Sequence, residues 1–360
     1  MSKVAASLRV CFLLFYSAIL ACEGLLAQSA WKMGPMLVPS GQVQSGYLVV
    51  PPGADGETRI PITLIHGSRP GPTLALVAGI HGYEYPPILA TRRFISHTDP
   101  QSLSGRVIVV HVANLPSFLK RTIYYSPVDG LNLNRVFPGK RDGTMSQRIA
   151  YVITKEVIEA SDFLIDLHCG DGNESLRPYS YWMPIGEARV DELARQLTLA
   201  FGLDHIVIDP TRSKDPTASL YCSNTAMTRG KPATTIESGG MGIAYDEEDI
   251  ARVERGILNV LRHLRMAEGK PEMPPNPVWY ERAEVLRFPE SLNENSGLFF
   301  PQVRKSQMVA KDEVLGYVTD YFGRRIFDLR SPFAGEVLYI IGTPPISAGE
   351  PLAFIGALKK

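Results

Sequence analysis

Residues Leu74–Ile88 read LALVAGIHGYEYPPI. An apolar run of strand length ends at Gly79, and His81 and Glu84 follow it at a spacing of three. Continuous apolar runs belong to strands covered on both faces. The next residues, PPILATRRFISH, have helical spacing, so the stretch reads strand, turn, helix. A turn or a first helical turn puts residues i and i+3 on one side. Open α/β sheets bind ligands beyond the carboxyl ends of their strands. The stretch therefore predicts an α/β fold with a histidine and a carboxylate on its binding rim.

Other runs extend the pattern. GYLVV, RIPITLIHG, RVIVVHVAN, DFLIDLH, DHIVI and ATTIESGG read as strands. TMSQRIAYVITKEVIEA, ARVDELARQLTLAFG and DEEDIARVERGILNVLRHLRMAEG read as helices. The last opens with acids at its positive dipole end and closes near Gly269. Strands alternating with helices predict a sheet with helices on both faces. The texture then changes. The proline-rich KPEMPPNPVW reads as a linker, and short runs such as GLFFPQV, EVLGYVTD and GEVLYIIG follow, with no long helix. The expected organisation is an α/β domain over 28–269, a linker at 270–277 and a small all-β domain over 278–360. The glycine-rich turns of that last part suggest a lid or an assembly surface rather than a catalytic part.

The N-terminus has its own character. Lys3 and Arg9 precede VCFLLFYSAILAC, and EGLLAQSAW follows. That order is a basic region, an apolar core too short to span a bilayer comfortably and a small-residue cleavage site. A signal peptide over 1–27, cut after Ala27, is expected, with a secreted or periplasmic chain and no stable membrane insertion afterwards. Lipid anchoring at Cys22 is the alternative. Cleavage removes Cys11 and Cys22 and leaves Cys169 and Cys222, as a pair or as two buried thiols. The composition, 45% hydrophobic and 21% charged, is ordinary for a globular protein. Net charge is +0, so no overall field points to nucleic acid or anionic membrane, and a small-molecule partner is expected. Homo-oligomerisation is left open.

His168 closes FLIDLH and Glu237 closes TTIE, so both lie at strand ends like His81. Taken singly, each has a bland explanation as a core or capping residue. Their shared position at one rim changes that. Two imidazole nitrogens and one carboxylate oxygen form a zinc set with an open fourth position, and such zinc lowers the pKa of bound water to about 7. Glu237 is then free to serve as general base. The remaining histidines lack this arrangement. His66 is followed by Arg69 in place of an acid, His111 lies in an apolar run, and His97, His205 and His263 lie in helices or polar loops. In PVDGLNLNRVFPG, Asn134 and Arg135 stand together, and an arginine fork suits a carboxylate.

AGIHGYE, LNLNRVFPG, DLHCG and TTIESGG occur in this order, and together they resemble the succinylglutamate desuccinylase/aspartoacylase family, itself related to the zinc carboxypeptidases. The resemblance covers roughly Gly46 to Leu264. It implies one zinc per chain on His81, Glu84 and His168, with Glu237 as the catalytic glutamate. It implies that Asn134 and Arg135 hold the substrate carboxylate. Aspartoacylases place a further arginine shortly before that pair, and the nearest candidate here is Arg121. The tail, with SPFAGEVLYIIG and SAGEPLAFIG, is similar to the β-domain of many bacterial members and to a biotinyl/lipoyl carrier barrel, without a lysine in the usual attachment context. The expected fold is a zinc-carboxypeptidase-like mixed sheet with helices on both faces, plus that small β-domain. The expected activity is zinc-dependent cleavage of an N-acyl amino acid or related small amide. The alternatives are a carboxypeptidase or amidase on peptides or cell-wall fragments, and a non-catalytic binding module with structural zinc.

Overall fold

The structure is a computed structural model describing residues 30–292 and 295–358. The leader read at 1–27, with Cys22, lies outside the described residues. Nine strands form one mixed sheet. From edge to edge they are Val278–Tyr280, His205–Ile208, Tyr179–Trp182, Ala233–Glu237, Phe163–His168, Arg69–Ala78, Ser104–Val110, Gly56–His66 and Gln42–Gly53. The strands Ala233–Glu237, Phe163–His168, Arg69–Ala78 and Ser104–Val110 are mutually parallel. Tyr179–Trp182 flanks them antiparallel on one side and Gly56–His66 on the other.

The opening run is apolar throughout because both faces of its strand are covered. Successive side chains point to opposite faces. Ala75 and Val77 pack with Ile149 and Ile153 of the segment that begins as the helix Met145–Val152. Leu74, Leu76 and Ala78 pack with Phe94, Leu197 and Ile257 from three helices, Tyr85–His97, Ala188–Phe201 and Glu247–His263. All five strand residues are fully buried, and each large aliphatic side chain so buried stabilises by about 1.5–3 kcal/mol relative to exposure. Gly79 then adopts φ +70 and turns the chain off the sheet, a conformation that an L side chain enters only with strain.

The all-β part is two sheets around a common core that includes Phe288, Phe299, Leu315 and Ile355. One carries Arg282–Arg287, Pro351–Ala357, Gly335–Ile341 and Met308–Val309, and the other Arg325–Arg330, Val314–Thr319, Ser296–Pro301 and Pro345–Ser347. The expected boundary needs moving. Val278–Tyr280 pairs parallel with His205–Ile208, so it finishes the large sheet, and the all-β part starts at Arg282. The contact is also reciprocal: Glu174–Leu176 from the α/β part pairs with Gly335–Ile341. His205 opens a strand, as the run DHIVI predicts, instead of lying in a polar loop, and it reaches Asp204 (2.8 Å) and Glu336 (3.4 Å). No helix among the described residues is long and apolar enough to cross a membrane.

Candidate metal centre and active site

His168 and Glu237 are each the last residue of a strand, and the two strands are parallel neighbours in register. The next strand, Arg69–Ala78, ends beside them and delivers His81 through the Gly79 turn. Gly82 allows that turn to close. A Cβ there would lie 2.4 Å from the Ser117 carbonyl oxygen and 2.6 Å from that of Thr122, both backbone atoms. Glu84 occupies the N-cap of Tyr85–His97 but makes no capping bond. Its carboxylate turns to the histidines instead, 2.8 Å from His81 Nδ1 and 3.0 Å from His168 Nδ1. Ligand atoms of His81, Glu84 and His168 all lie within 4.8 Å of one another, and all three side chains are buried.

The far nitrogens explain the near ones. His81 Nε2 lies 3.2 Å from Asn132 Oδ1, and His168 Nε2 lies 3.0 Å from Asp166 Oδ1. Both face oxygen acceptors, so both are suited to carry the ring proton. The two Nδ1 lone pairs then face the Glu84 carboxylate, and only a positive charge reconciles three such acceptors. Both Glu84 oxygens, moreover, lie 3.0 Å from His168 Nδ1, so the whole carboxylate faces the imidazoles. Two imidazoles and one carboxylate in this arrangement fit zinc. Proton energetics follow the same crowding. Burial pushes Glu84 up, but His168 and His81 outweigh it and hold the carboxyl at about 2. Burial pushes both histidines down, and Glu84 reverses this for His81, with Asp166 adding to the rise at His168.

Glu237 sits beside this set in a different electrostatic situation. Burial drives its carboxyl well above the usual range, with His168 opposing and Glu84 and Glu174 adding to the rise. A buried carboxyl raised in this way, beside the three candidate ligands, is a candidate for proton transfer.

A cavity of about 380 Å³ opens over the centre, and His81, Glu84, His168, Glu237, Asn134 and Arg135 all line it. Asn134 and Arg135 lie on a short turn, Leu133–Arg135, where Asn132 Oδ1 accepts the Asn134 N–H at 2.9 Å. Asn134 Oδ1 accepts the Cys222 N–H, which orients its amide nitrogen towards His168 at 3.2 Å. With His168 Nε2 donating to Asp166, that amide N–H is left for a ligand. Arg135 donates to the Asn134 carbonyl oxygen at 2.8 Å and lies 4.5 Å over the Tyr221 ring. Burial pushes its guanidinium below the ordinary value, and it has no carboxylate partner among the described residues.

Arg121 does not line the cavity. It is exposed and ends the helix Leu115–Lys120 in a left-handed conformation. The arginines that join Arg135 are Arg212, 3.5 Å over the same Tyr221 ring and tied to Asp209 at 2.6 Å, and Arg287 from the all-β part. Val285, Tyr339 and Pro351 also come from that part, so it walls the cavity directly. None of these was visible in the sequence, because nothing local connects them to the strand ends. Cys169 and Cys222 are both buried free thiols.

The succinylglutamate desuccinylase/aspartoacylase catalytic domain matches residues 70–264. The chain is 31% identical over 285 residues to the N-alpha-acetyl-L-2,4-diaminobutyric acid deacetylase of Halomonas elongata, covering 77% of this chain and 80% of that protein. Among solved structures it is similar to a succinylglutamate desuccinylase from Silicibacter sp. TM1040, with TM-score 0.77 and 25% identity over 89% of this chain and 97% of that one. It is also similar to the product-bound ectoine utilization protein EutE (DoeB) from Ruegeria pomeroyi, with TM-score 0.76 and 26% identity over 89% and 97% of the two chains.

Proposed function

The chain belongs to the succinylglutamate desuccinylase/aspartoacylase family, and from that premise we propose that it is a zinc-dependent hydrolase cleaving the amide bond of an N-acyl amino acid. Its relatives are deacylases of small N-acyl amino acids. The observation that carries the reading is the convergence of His81 Nδ1, His168 Nδ1 and the Glu84 carboxylate beside Glu237, at one strand rim inside a cavity.

In this reading His81, Glu84 and His168 hold zinc, which supplies a Lewis acid and lowers the pKa of water. Asn132 and Asp166 fix the two imidazoles. Glu237 takes a proton from the attacking water and returns it to the amide nitrogen, which leaves poorly unless protonated. Asn134 and Arg135 hold the substrate carboxylate and thereby align the scissile bond. The size of the cavity and its wall of β-domain residues favour a small amide over a peptide chain. We also infer export, supported by the basic, apolar and small-residue order of the leader. Mass spectrometry of the mature protein should find Gln28 first, whereas a lipid on Cys22 would indicate anchoring.

The zinc-loaded protein is to be assayed against N-acyl amino acids and their carboxamide counterparts. Hydrolysis of the acids with much slower turnover of the carboxamides is expected. A protein with full zinc that hydrolyses no N-acyl amino acid would overturn the assignment.

A further inference from the structure

His81 has a neighbour that the mechanism above leaves unassigned. The χ2 of histidine is a broad torsion, so the ring plane takes its setting from what surrounds it. Glu84 and Asn132 face the two nitrogens of His81. Tyr124 packs against the ring itself, edge to face, with centroids 6.0 Å apart and planes at 89°. Edge to face at this separation is a favoured arrangement of two rings.

Tyr124 is held in a backbone conformation that few side chains adopt, φ +56. Such a residue persists only where its surroundings over-determine it. Its N–H donates to Asp171 Oδ2 at 2.9 Å. Its hydroxyl donates to Glu174 Oε1 at 2.7 Å, with Asn173 Oδ1 at 2.9 Å. Burial pushes the phenol well up and Glu174 adds to the rise, so the hydroxyl remains a donor. Both residues that meet the hydroxyl sit where the all-β part attaches. The Gly342 N–H donates to the Asn173 carbonyl oxygen at 2.8 Å, and Glu174 stands opposite Ile341 in the pairing of Glu174–Leu176 with Gly335–Ile341. A line of contacts thus runs from the all-β part through Glu174 and Tyr124 to His81.

We propose that Tyr124 is a positioning residue for His81, and that its hydroxyl, held by Glu174, makes the docked all-β part a support for the metal centre. This rests on the zinc reading of His81, Glu84 and His168 above. Loss of a group that orients a metal-ligating imidazole costs roughly 10–100-fold in metal affinity. A tyrosine that served only as cavity wall would change KM for substrate and leave zinc affinity as it is.

The test measures zinc dissociation constants on the full chain, by competition with a chromogenic chelator, together with the visible spectrum of the cobalt-substituted protein, whose d–d bands report ligand geometry. Tyr124→Leu removes the ring and should weaken zinc binding by roughly 10–100-fold and shift the cobalt bands. Tyr124→Phe keeps the ring, loses the hydroxyl and should show a smaller loss in the same direction. Glu174→Gln keeps an acceptor oxygen and should bind zinc as the native protein does, whereas Glu174→Leu should match Tyr124→Phe. The double variant Tyr124→Phe, Glu174→Leu should lose no more than either change alone, because both break one contact. Native zinc affinity and a native cobalt spectrum in Tyr124→Phe and Glu174→Leu overturn the proposal, and these two keep it testable if Tyr124→Leu does not fold. Fully additive losses in the double variant also overturn it, since Glu174 then acts apart from Tyr124. The expected losses in a protein that hydrolyses no N-acyl amino acid would sink the deacylase reading while supporting the positioning role.

Discussion

Glu237 and His168 are cross-strand partners on adjacent parallel strands, each the final residue of its strand. One step of register therefore sets the spacing between the proposed base and a proposed metal ligand, and the Ser238 N–H donating to the His168 carbonyl oxygen at 2.9 Å closes the ladder beyond them. Glu237→Gln preserves this backbone arrangement and removes only the proton-carrying oxygen. The variant should keep its zinc and lose roughly 10²–10⁴-fold in turnover. Glu84→Gln should instead lose zinc first. Metal content and hydrolysis measured on the same preparations separate the two, and a fully loaded Glu237→Gln protein with a near-normal rate would exclude the proposed base.

Arg135 lies over the Tyr221 ring and has no acid partner among the described residues. Arg135→Lys keeps the charge but loses both the planar stack and the fork. KM should rise by roughly tenfold or more, as suits loss of a hydrogen bond to a charged group, with a smaller change in kcat. If the substrate acid and its carboxamide are turned over equally by the native protein, Arg135 has another task.

Gly82 is required for space, since it does not have a positive φ. Gly82→Ala would press a methyl against two backbone carbonyl oxygens that cannot rotate away. Overpacking of this kind costs about 1–3 kcal/mol. The displaced turn carries His81 and Glu84, so zinc affinity should fall together with the unfolding midpoint. A variant with native zinc affinity and native thermal stability would contradict the close-packed turn.

Glu336 joins the all-β part to the large sheet through Arg177 at 2.6 Å, the Tyr280 hydroxyl at 2.5 Å and His205 at 3.4 Å. Burial pushes its carboxyl up, but hydrogen bonds from His205 and Tyr280 and the Arg177 guanidinium hold it at about 2. Its folded pKa is thus below its unfolded value of 4.5. The associated stability is fully present above pH 4.5 and is lost as pH falls towards 2. Glu336→Gln should cost about 1–3 kcal/mol at neutral pH, and the gap between variant and native protein should shrink in melts run between pH 4.5 and 3. A pH-independent gap would show that the carboxylate charge is not what joins the two parts.

Local pattern was enough to find the strand ends and what stands on them. Apolar runs reveal buried strands because both faces need apolar side chains, and the residue after such a run lies at the rim whatever the rest of the chain does. His81, His168 and Glu237 were legible for that reason, and Glu84 because a helix start carries position i+3 back to the same side. Tyr179–Trp182 and Val278–Tyr280 were not, since four and three residues are too short to show a period, and pairing with a distant neighbour makes them strands.

By itself the sequence determined the α/β class, the change to β texture near the proline-rich segment and the residue types at three strand ends. Each depends on short-range periodicity or composition. Tertiary structure decided what closes the cavity. Arg212 reaches it by stacking on Tyr221, while Arg287 and Tyr339 enter because the all-β part packs through Glu336 and the Glu174–Leu176 strand. It also decided that Arg121 stays outside and that Asp171 and Glu174 meet at Tyr124. The physical reason is common to all of these contacts. They join residues far apart in the chain, and their geometry exists only once the sheets and helices have packed.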